Sequence, residues 1–353
     1  MKVSQIKTPA LYLDLDSFDR NHKRMVDTLN RYGLDMLPHY KSSKCTTIAH
    51  MQIAAGAKGI TCSKTDEAWD LANSGVENIL IANQVTDLEK ISRIADLARC
   101  CNLTVCVDDK KNIENLSAAA SLHGTIINCL VECNVGANRC GVDSKEEALI
   151  LAKKISQSPG LKFDGIQAYA GQISHQCDYE VRKRVSSEVE DYLKDLITYF
   201  LGNQVLVNRI SGVSTGSIEF RDHNTVYTEV QVGSYAFMDA AYGKLGLEYE
   251  NSLFVLSTVM KVNQDFIILD TGRKSVSLDQ AMPQIPGCNS ELTKVSEEHI
   301  KLPSNAIDAK VGDKIPLIPG HCCTTMNLHE YIYFVRGDKV IDRVHITSRG
   351  RSC

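Results

Sequence analysis

Between residues 36 and 232, eight short apolar, strand-like runs recur with helical patterns between them: Met36–Tyr40, Gly59–Cys62, Ile79–Ala82, Leu103–Val107, Ile126–Cys133, Gly165–Tyr169, Arg209–Gly212 and Thr228–Val232. Strands separated by helices pair in parallel through crossovers. Eight such units over roughly 200 residues predict an α/β fold, a (β/α)8 barrel of the TIM type rather than an open sheet. The helices carry their own start signals. Ser144-Lys145-Glu146-Glu147 reads as a capping box, Thr65-Asp66-Glu67 as a cap with acids in the first turn, and Leu88, Ile91, Ile94 and Ala95 share one helical face.

After about residue 245 the alternation stops. Leu253–Met260, Phe266–Leu269, Lys314–Ile318, Tyr331–Val335 and Val340–Val344 read as strands rich in β-branched and aromatic residues, with Arg336-Gly337-Asp338-Lys339 as a hairpin turn. Ala10–Asp14 is a lone strand-like run expected to join that later sheet, and residues 281–306, rich in Pro, Gly, Ser and Asn, are expected to form a long connection. The expected division is a barrel over 16–245, and a smaller, mainly β domain built from 1–15 plus 246–353.

A net charge of −4 offers no footprint for nucleic acid or an anionic membrane. The first residues lack an apolar signal core, and no run is long enough to span a bilayer. The 13 cysteines sit mostly inside apolar stretches without the spacing of a disulfide framework. A reducing, cytoplasmic setting is expected, with most thiols as small core residues.

In such a barrel, chemistry gathers at the C-terminal strand ends. Those ends carry Lys41, Ser63, Asn83, Asp108, Arg139, His175, Ser214-Thr215-Gly216 and Gly233-Ser234-Tyr235. The last two are small, glycine-containing loops of the kind that cradle a phosphate, and Lys41 is an amine placed for imine formation. Near the C-terminus, His321 and Cys323 would share a face if the chain were extended there. An imidazole and a thiolate suit a borderline-soft divalent metal, zinc first. Taken singly, each has a plainer reading: ordinary turns, a surface lysine beside Lys44, a chance His-x-Cys. Together, a strand-end lysine and a phosphate cradle are what pyridoxal 5'-phosphate needs.

The sequence resembles the fold-type III pyridoxal-phosphate enzymes, in the branch of D-threonine aldolases and D-serine dehydratases related to alanine racemase. The resemblance runs along nearly the whole chain. It rests on Thr8-Pro9-Ala10 with Leu13-Asp14, Pro38-His39-Tyr40-Lys41-Ser42-Ser43-Lys44, Gly136-Ala137-Asn138-Arg139-Cys140-Gly141-Val142, Gly233-Ser234-Tyr235-Ala236-Phe237-Met238-Asp239, Ser296-Glu297-Glu298-His299 and His321-Cys322-Cys323. It implies that Lys41 forms the Schiff base and that Arg139 faces the cofactor ring. It further implies that Tyr169 lies close to that ring and that Ser214, Thr215, Gly216, Gly233, Ser234 and Tyr235 hold the phosphate. His175 is implied as a general base near the substrate, with a loop histidine of no role as the alternative. His299 is implied as structural and Glu297 with Glu298 as a solvated pair. His321 and Cys323 are implied as ligands of a divalent metal, with zinc preferred over manganese or magnesium. The resemblance also implies a homodimer with composite active sites and a D-3-hydroxy-amino acid as substrate.

Two reactions fit that family. The run 136–142 and the segment Gln167-Ala168-Tyr169 through His175 look like D-threonine aldolases, whereas Cys323 looks like D-serine dehydratases. Ser43 and Val344-His345 depart from both, where histidine and tryptophan are usual. The longer barrel similarity favours retro-aldol cleavage to glycine and an aldehyde. Dehydration of D-serine or D-3-hydroxyaspartate to a 2-oxo acid and ammonia is the alternative. An amino-acid racemase, a bare cofactor carrier and a structural metal module are the more distant readings.

Overall fold

The computed structural model describes every residue of the chain except Asn289 and Glu291. Among the described residues the chain forms two eight-stranded sheets and divides into two compact units. The first strand, β1 (Ala10–Asp14), belongs to the second sheet. There follow the strands of the first: β2 (Asp35–Met36), β3 (Ile60–Cys62), β4 (Asn78–Ile81), β5 (Asn102–Val107), β6 (Ile127–Glu132), β7 (Leu161–Ala168), β8 (Ile210–Gly212) and β9 (Glu229–Val230).

These eight pair in parallel in the order β2-β9-β8-β7-β6-β5-β4-β3. The two ends of that ladder meet. Lys58 N–H donates to Met36 O (2.9 Å), Thr61 N–H donates to Pro38 O (3.0 Å), and His39 bridges Thr61 in parallel. The sheet therefore closes on itself, as the eight apolar runs predict. The first run is strand over a shorter length than expected. Pro38 has no N–H to give, so regular strand ends at Met36, although Leu37 and His39 still donate to Val230 O and Val232 O. Tyr40–Ser42 then turns as a 3-10 helix.

Helices start largely where capping chemistry places them. Ser144 accepts the Glu147 N–H (3.2 Å) at the head of Lys145–Gln157, and Asp87 accepts the Lys90 N–H (3.0 Å) ahead of Leu88–Leu97. Thr65 differs from expectation. Lys64 occupies the cap position and Thr65 is already helical, because Glu67 Oε2 reaches back to the N–H groups of Ser63 (3.0 Å) and Lys64 (3.2 Å).

The interior of the barrel is layered. Leu37, Leu80, Cys106 and Leu130 pack as one apolar cluster. Gln231 Nε2 donates to Gln167 Oε1 (2.6 Å) and Ser211 Oγ (2.7 Å). Towards the strand starts, Arg209 is bidentate to Glu229 (2.8 and 3.0 Å) and also reaches Asp164 (2.8 Å) and Thr104 (3.0 Å).

The second sheet contains β10 (Leu253–Val262), β11 (Phe266–Leu269), β12 (Lys294–Val295), β13 (Ile300–Pro303), β14 (Lys314–Leu317), β15 (Tyr331–Arg336) and β16 (Lys339–His345). Its order is β12-β13-β11-β10-β1-β15-β16, with β14 on β10. β1 pairs antiparallel with β10 and parallel with β15. Gly337 (φ 56°) turns the β15–β16 hairpin. The stretch 281–306 is not a plain connection, since it supplies β12 and β13. Alternating burial over 300–303 let that segment pair with β11. Asn289 and Glu291, within the expected connection, lie outside the described residues. The extended geometry considered for His321–Cys323 is also corrected: His321 precedes a short helix, Cys322–Met326.

Candidate active site

Lys41 leaves the barrel at the end of the β2 segment, held through its backbone. His39, buried, accepts the Lys41 N–H on Nδ1 (3.3 Å) and meets Ser63 Oγ with Nε2 (3.3 Å). Ser63 O accepts from the Asn83 amide (3.1 Å), which links the ends of β2, β3 and β4. The Lys41 ammonium is exposed and stands over the ring of Tyr169, 5.8 Å from its centroid. Tyr169 follows β7, and its hydroxyl lies 3.3 Å from Ser174 Oγ, beside His175 in sequence. His175 is half-buried in the loop after the 3-10 turn Gly171–Ile173.

Arg139 projects from a loop closed by its own polar residues. Asn134 Oδ1 accepts the N–H groups of Gly136 (3.2 Å) and Asn138 (3.1 Å), while Asn134 N–H donates to Val142 O (2.9 Å). Gly141 takes φ 100°, and a Cβ there would lie 2.6 Å from Asn134 N. Its N–H donates to Asp108 at the end of β5 (2.9 Å). The Arg139 guanidinium is exposed but reaches Glu132 Oε1 at 3.8 Å, and Gln84 Nε2 donates to Glu132 Oε2 at 2.7 Å. Burial pushes the Glu132 carboxyl above its ordinary range, against the pull of Gln84 and Arg139. Sequence reasoning does not reach Glu132 or Gln84. Both sit in apolar or loop runs whose pattern carries no chemistry.

Ser214, Thr215 and Gly216 are all buried in the turn after β8, where Val213 takes φ 63°. The turn is tied by Ser217 N–H to Ser214 O (3.1 Å) and by Ser214 N–H to Ser217 Oγ (3.0 Å). Arg182, fully buried on the helix Tyr179–Gly202, donates to Gly216 O at 2.8 Å. Gly233 belongs to the barrel unit and Ser234 to the other. Within that other unit the Tyr235 hydroxyl lies 2.8 Å from His22 Nδ1, and Ser234 Oγ lies 3.5 Å from Cys322 Sγ.

A second polar centre surrounds His321. Gly320 has no room for a side chain, since a Cβ would fall 1.9 Å from Ala281 O and 2.6 Å from Ser277 O. That close approach brings Asp279 to His321, with Oδ2 2.8 Å from Nδ1. Buried Asp239 accepts the Cys322 N–H (2.8 Å) and so caps the short helix. Cys323 is hydrogen-bonded to His321 and lies 3.4 Å from Ser42 Oγ. Burial alone would lower the His321 pKa. The hydrogen bonds and charges of Cys323 and Asp279 outweigh it and push the imidazole up to about 9. Burial likewise opposes ionisation of Asp279, yet hydrogen bonds from Ser277, His321 and Thr324 bring it down to about 2. Cys322 points into the core, and the bond to Cys323 together with burial raises its thiol well above the ordinary value. Of the two cysteines, Cys323 is the one beside the His321 imidazole. Among the described residues, no group of three or more His, Cys, Asp or Glu side chains is arranged to hold a metal. Glu297 and Glu298 both pair with exposed Lys274 (3.3 and 3.2 Å), and the exposed His299 contributes its carbonyl to the turn at Ser296 (2.9 Å).

Residues 13–241 match the family model described as alanine racemase, N-terminal domain, and residues 252–335 match the one described as a putative serine dehydratase domain. The chain belongs to the alanine racemase-like, fold-type III pyridoxal-phosphate enzymes. Among members of this fold-type III family, a D-threonine aldolase of Arthrobacter sp is 37% identical, over 99% of this chain and 94% of its own length. A 3-hydroxy-D-aspartate aldolase of Paracoccus denitrificans is 36% identical, again over 99% of this chain and 94% of its own. The crystal structure of a D-threonine aldolase from Filomicrobium marinum superposes with a TM-score of 0.96 at 34% identity, covering 100% of this chain and 98% of that one. Dehydratases of the family are more distant relatives. Among the described residues no helix is long and apolar enough to cross a membrane.

Proposed function

We propose that this protein is a pyridoxal-phosphate- and divalent-metal-dependent lyase that cleaves D-3-hydroxy-amino acids, D-threonine or 3-hydroxy-D-aspartate, to glycine and an aldehyde. Full-length likeness to two aldolases, exceeding the likeness to the dehydratases of the family, carries this reading. The donor set fits the cofactor: a lysine at one strand end and a buried turn of small hydroxyl and glycine residues at another. Lys41 would hold the aldehyde carbon, Arg139 the ring oxygen and Tyr169 the ring face. Ser214, Thr215, Gly216, Gly233, Ser234 and Tyr235 would hold the phosphate. When bound, the cofactor takes up the electron pair released as the Cα–Cβ bond breaks.

His321 and Cys323 would hold the metal, and their imidazole and thiolate favour zinc over manganese or magnesium. Two protein ligands leave room for water and for a substrate hydroxyl, which a bound metal acidifies. His175 would take the hydroxyl proton as general base. We further propose a cytoplasmic homodimer with composite active sites. Its 13 free cysteines agree with a reducing compartment.

The dehydratase reading is kept for one observation: residue 323 is a cysteine, hydrogen-bonded to the His321 imidazole. The test gives cofactor-loaded protein D-threonine, 3-hydroxy-D-aspartate and D-serine separately, with and without a strong chelator. Glycine with an aldehyde, suppressed by the chelator, is the expected result. Pyruvate and ammonia from D-serine without glycine from the other two would overturn the aldolase.

A further inference from the structure

We infer that Asp279 is the outer-sphere carboxylate of the proposed metal centre, fixing His321 in the tautomer that presents Nε2 to the metal. The inference rests on the metal reading above and adds a residue to it. A carboxylate only accepts hydrogen bonds, so the 2.8 Å contact from Asp279 Oδ2 requires the proton to sit on His321 Nδ1. The remaining nitrogen, Nε2, then keeps its lone pair when the imidazole is neutral, as metal ligation demands.

Asp279 is itself aimed. Its Oδ1 takes the Thr324 hydroxyl (2.8 Å) and the Ser277 hydroxyl, which leaves Oδ2 for the imidazole. Thr324 directly follows Cys323 in sequence. The Ser277 N–H donates to Thr325 Oγ1 (3.0 Å), and Thr324 Oγ1 lies 2.6 Å from Ser277 Oγ. The segment 277–279 is thereby laced to the short helix that carries Cys323. The close packing of Gly320 on Ser277 O and Ala281 O completes that tie. An ordinary surface ion pair would not need two hydroxyl side chains to orient one carboxylate.

The test measures zinc affinity by competition with a chromophoric chelator, on cofactor-loaded wild-type, Asp279→Ala, Asp279→Asn and His321→Ala proteins. Cofactor absorbance and melting temperature serve as fold controls. Asp279→Ala is expected to weaken zinc binding about 10- to 100-fold with both controls unchanged. Asp279→Asn, which keeps an acceptor but no charge, is expected to lose less. In zinc-loaded protein, nitrogen-15 NMR of His321 should report an Nδ1–H tautomer in the wild type and its loss in Asp279→Ala. Affinity held within about twofold in Asp279→Ala, while His321→Ala loses zinc, overturns the role of Asp279 alone. Zinc binding unchanged in His321→Ala overturns the metal reading, and the Asp279 role with it.

Discussion

The Lys41 ammonium lies over the Tyr169 ring, 5.8 Å from its centroid, although the two residues enter from β2 and β7, three positions apart in the strand order around the barrel. They are joined through β9 and β8, and the curvature of that ladder brings the two strand ends together. Lys41→Ala should abolish the visible absorbance of the purified protein and its turnover, while the melting profile of the protein without cofactor stays unchanged because the side chain is exposed. Absorbance surviving in Lys41→Ala would assign the imine to another lysine.

His175→Ala should lower kcat by about a hundredfold or more and flatten one limb of the pH–rate profile, the expected size of a lost general base. Steady-state kinetics with the cofactor bound would read this directly. A change in KM alone would reduce His175 to a binding residue.

Arg209→Met strands Glu229, whose side chain is 8% exposed, and Asp164 without their cation. Removing one partner from such a network should cost about 3 kcal/mol in denaturant unfolding. Arg209 precedes β8, at the start of the strand, so cofactor absorbance should survive at temperatures where the variant remains folded.

Glu132 binds its proton more tightly folded than unfolded, because burial raises its pKa. That contribution is fully present below the unfolded value of about 4.3 and is lost as pH rises through the folded value. Glu132→Gln retains a carbonyl acceptor for Gln84 and removes the loss. Its stability relative to the parent should therefore climb as pH rises above about 4.3, in urea unfolding at a series of pH values. A constant difference across the series would mean that Arg139 and Gln84 fully offset the burial.

Much of this architecture was legible because periodicity carries it. Each of the eight runs overlaps a barrel strand, and Phe266–Leu269 and Ala10–Asp14 are strands over the bounds read from the sequence. Lys41, Arg139 and the turn at Ser214 were singled out for a related reason, since strand ends are where a barrel exposes function, whereas Tyr169 was singled out only by the family resemblance. The short helix at Cys322 was not, since its start depends on Asp239 capping from far away in sequence. Asp279 and Glu132 act only through tertiary partners, and neither stands in a local pattern that announces it. The strands at 294–295 and 300–303 hide in a composition that reads as loop.

β1 has a consequence for how the molecule is made. It is laid between β10 and β15, so both of its edges are satisfied by segments translated long after it. On a ribosome, Ala10–Asp14 must wait, with two open hydrogen-bonding edges and the apolar side chains of Leu11 and Leu13 unburied, until Tyr331–Arg336 has emerged. β1 is thus made before both of its partners and secured only after them. Unpaired edges with apolar side chains are prone to aggregate, so this strand is one that needs shielding while the chain is being made.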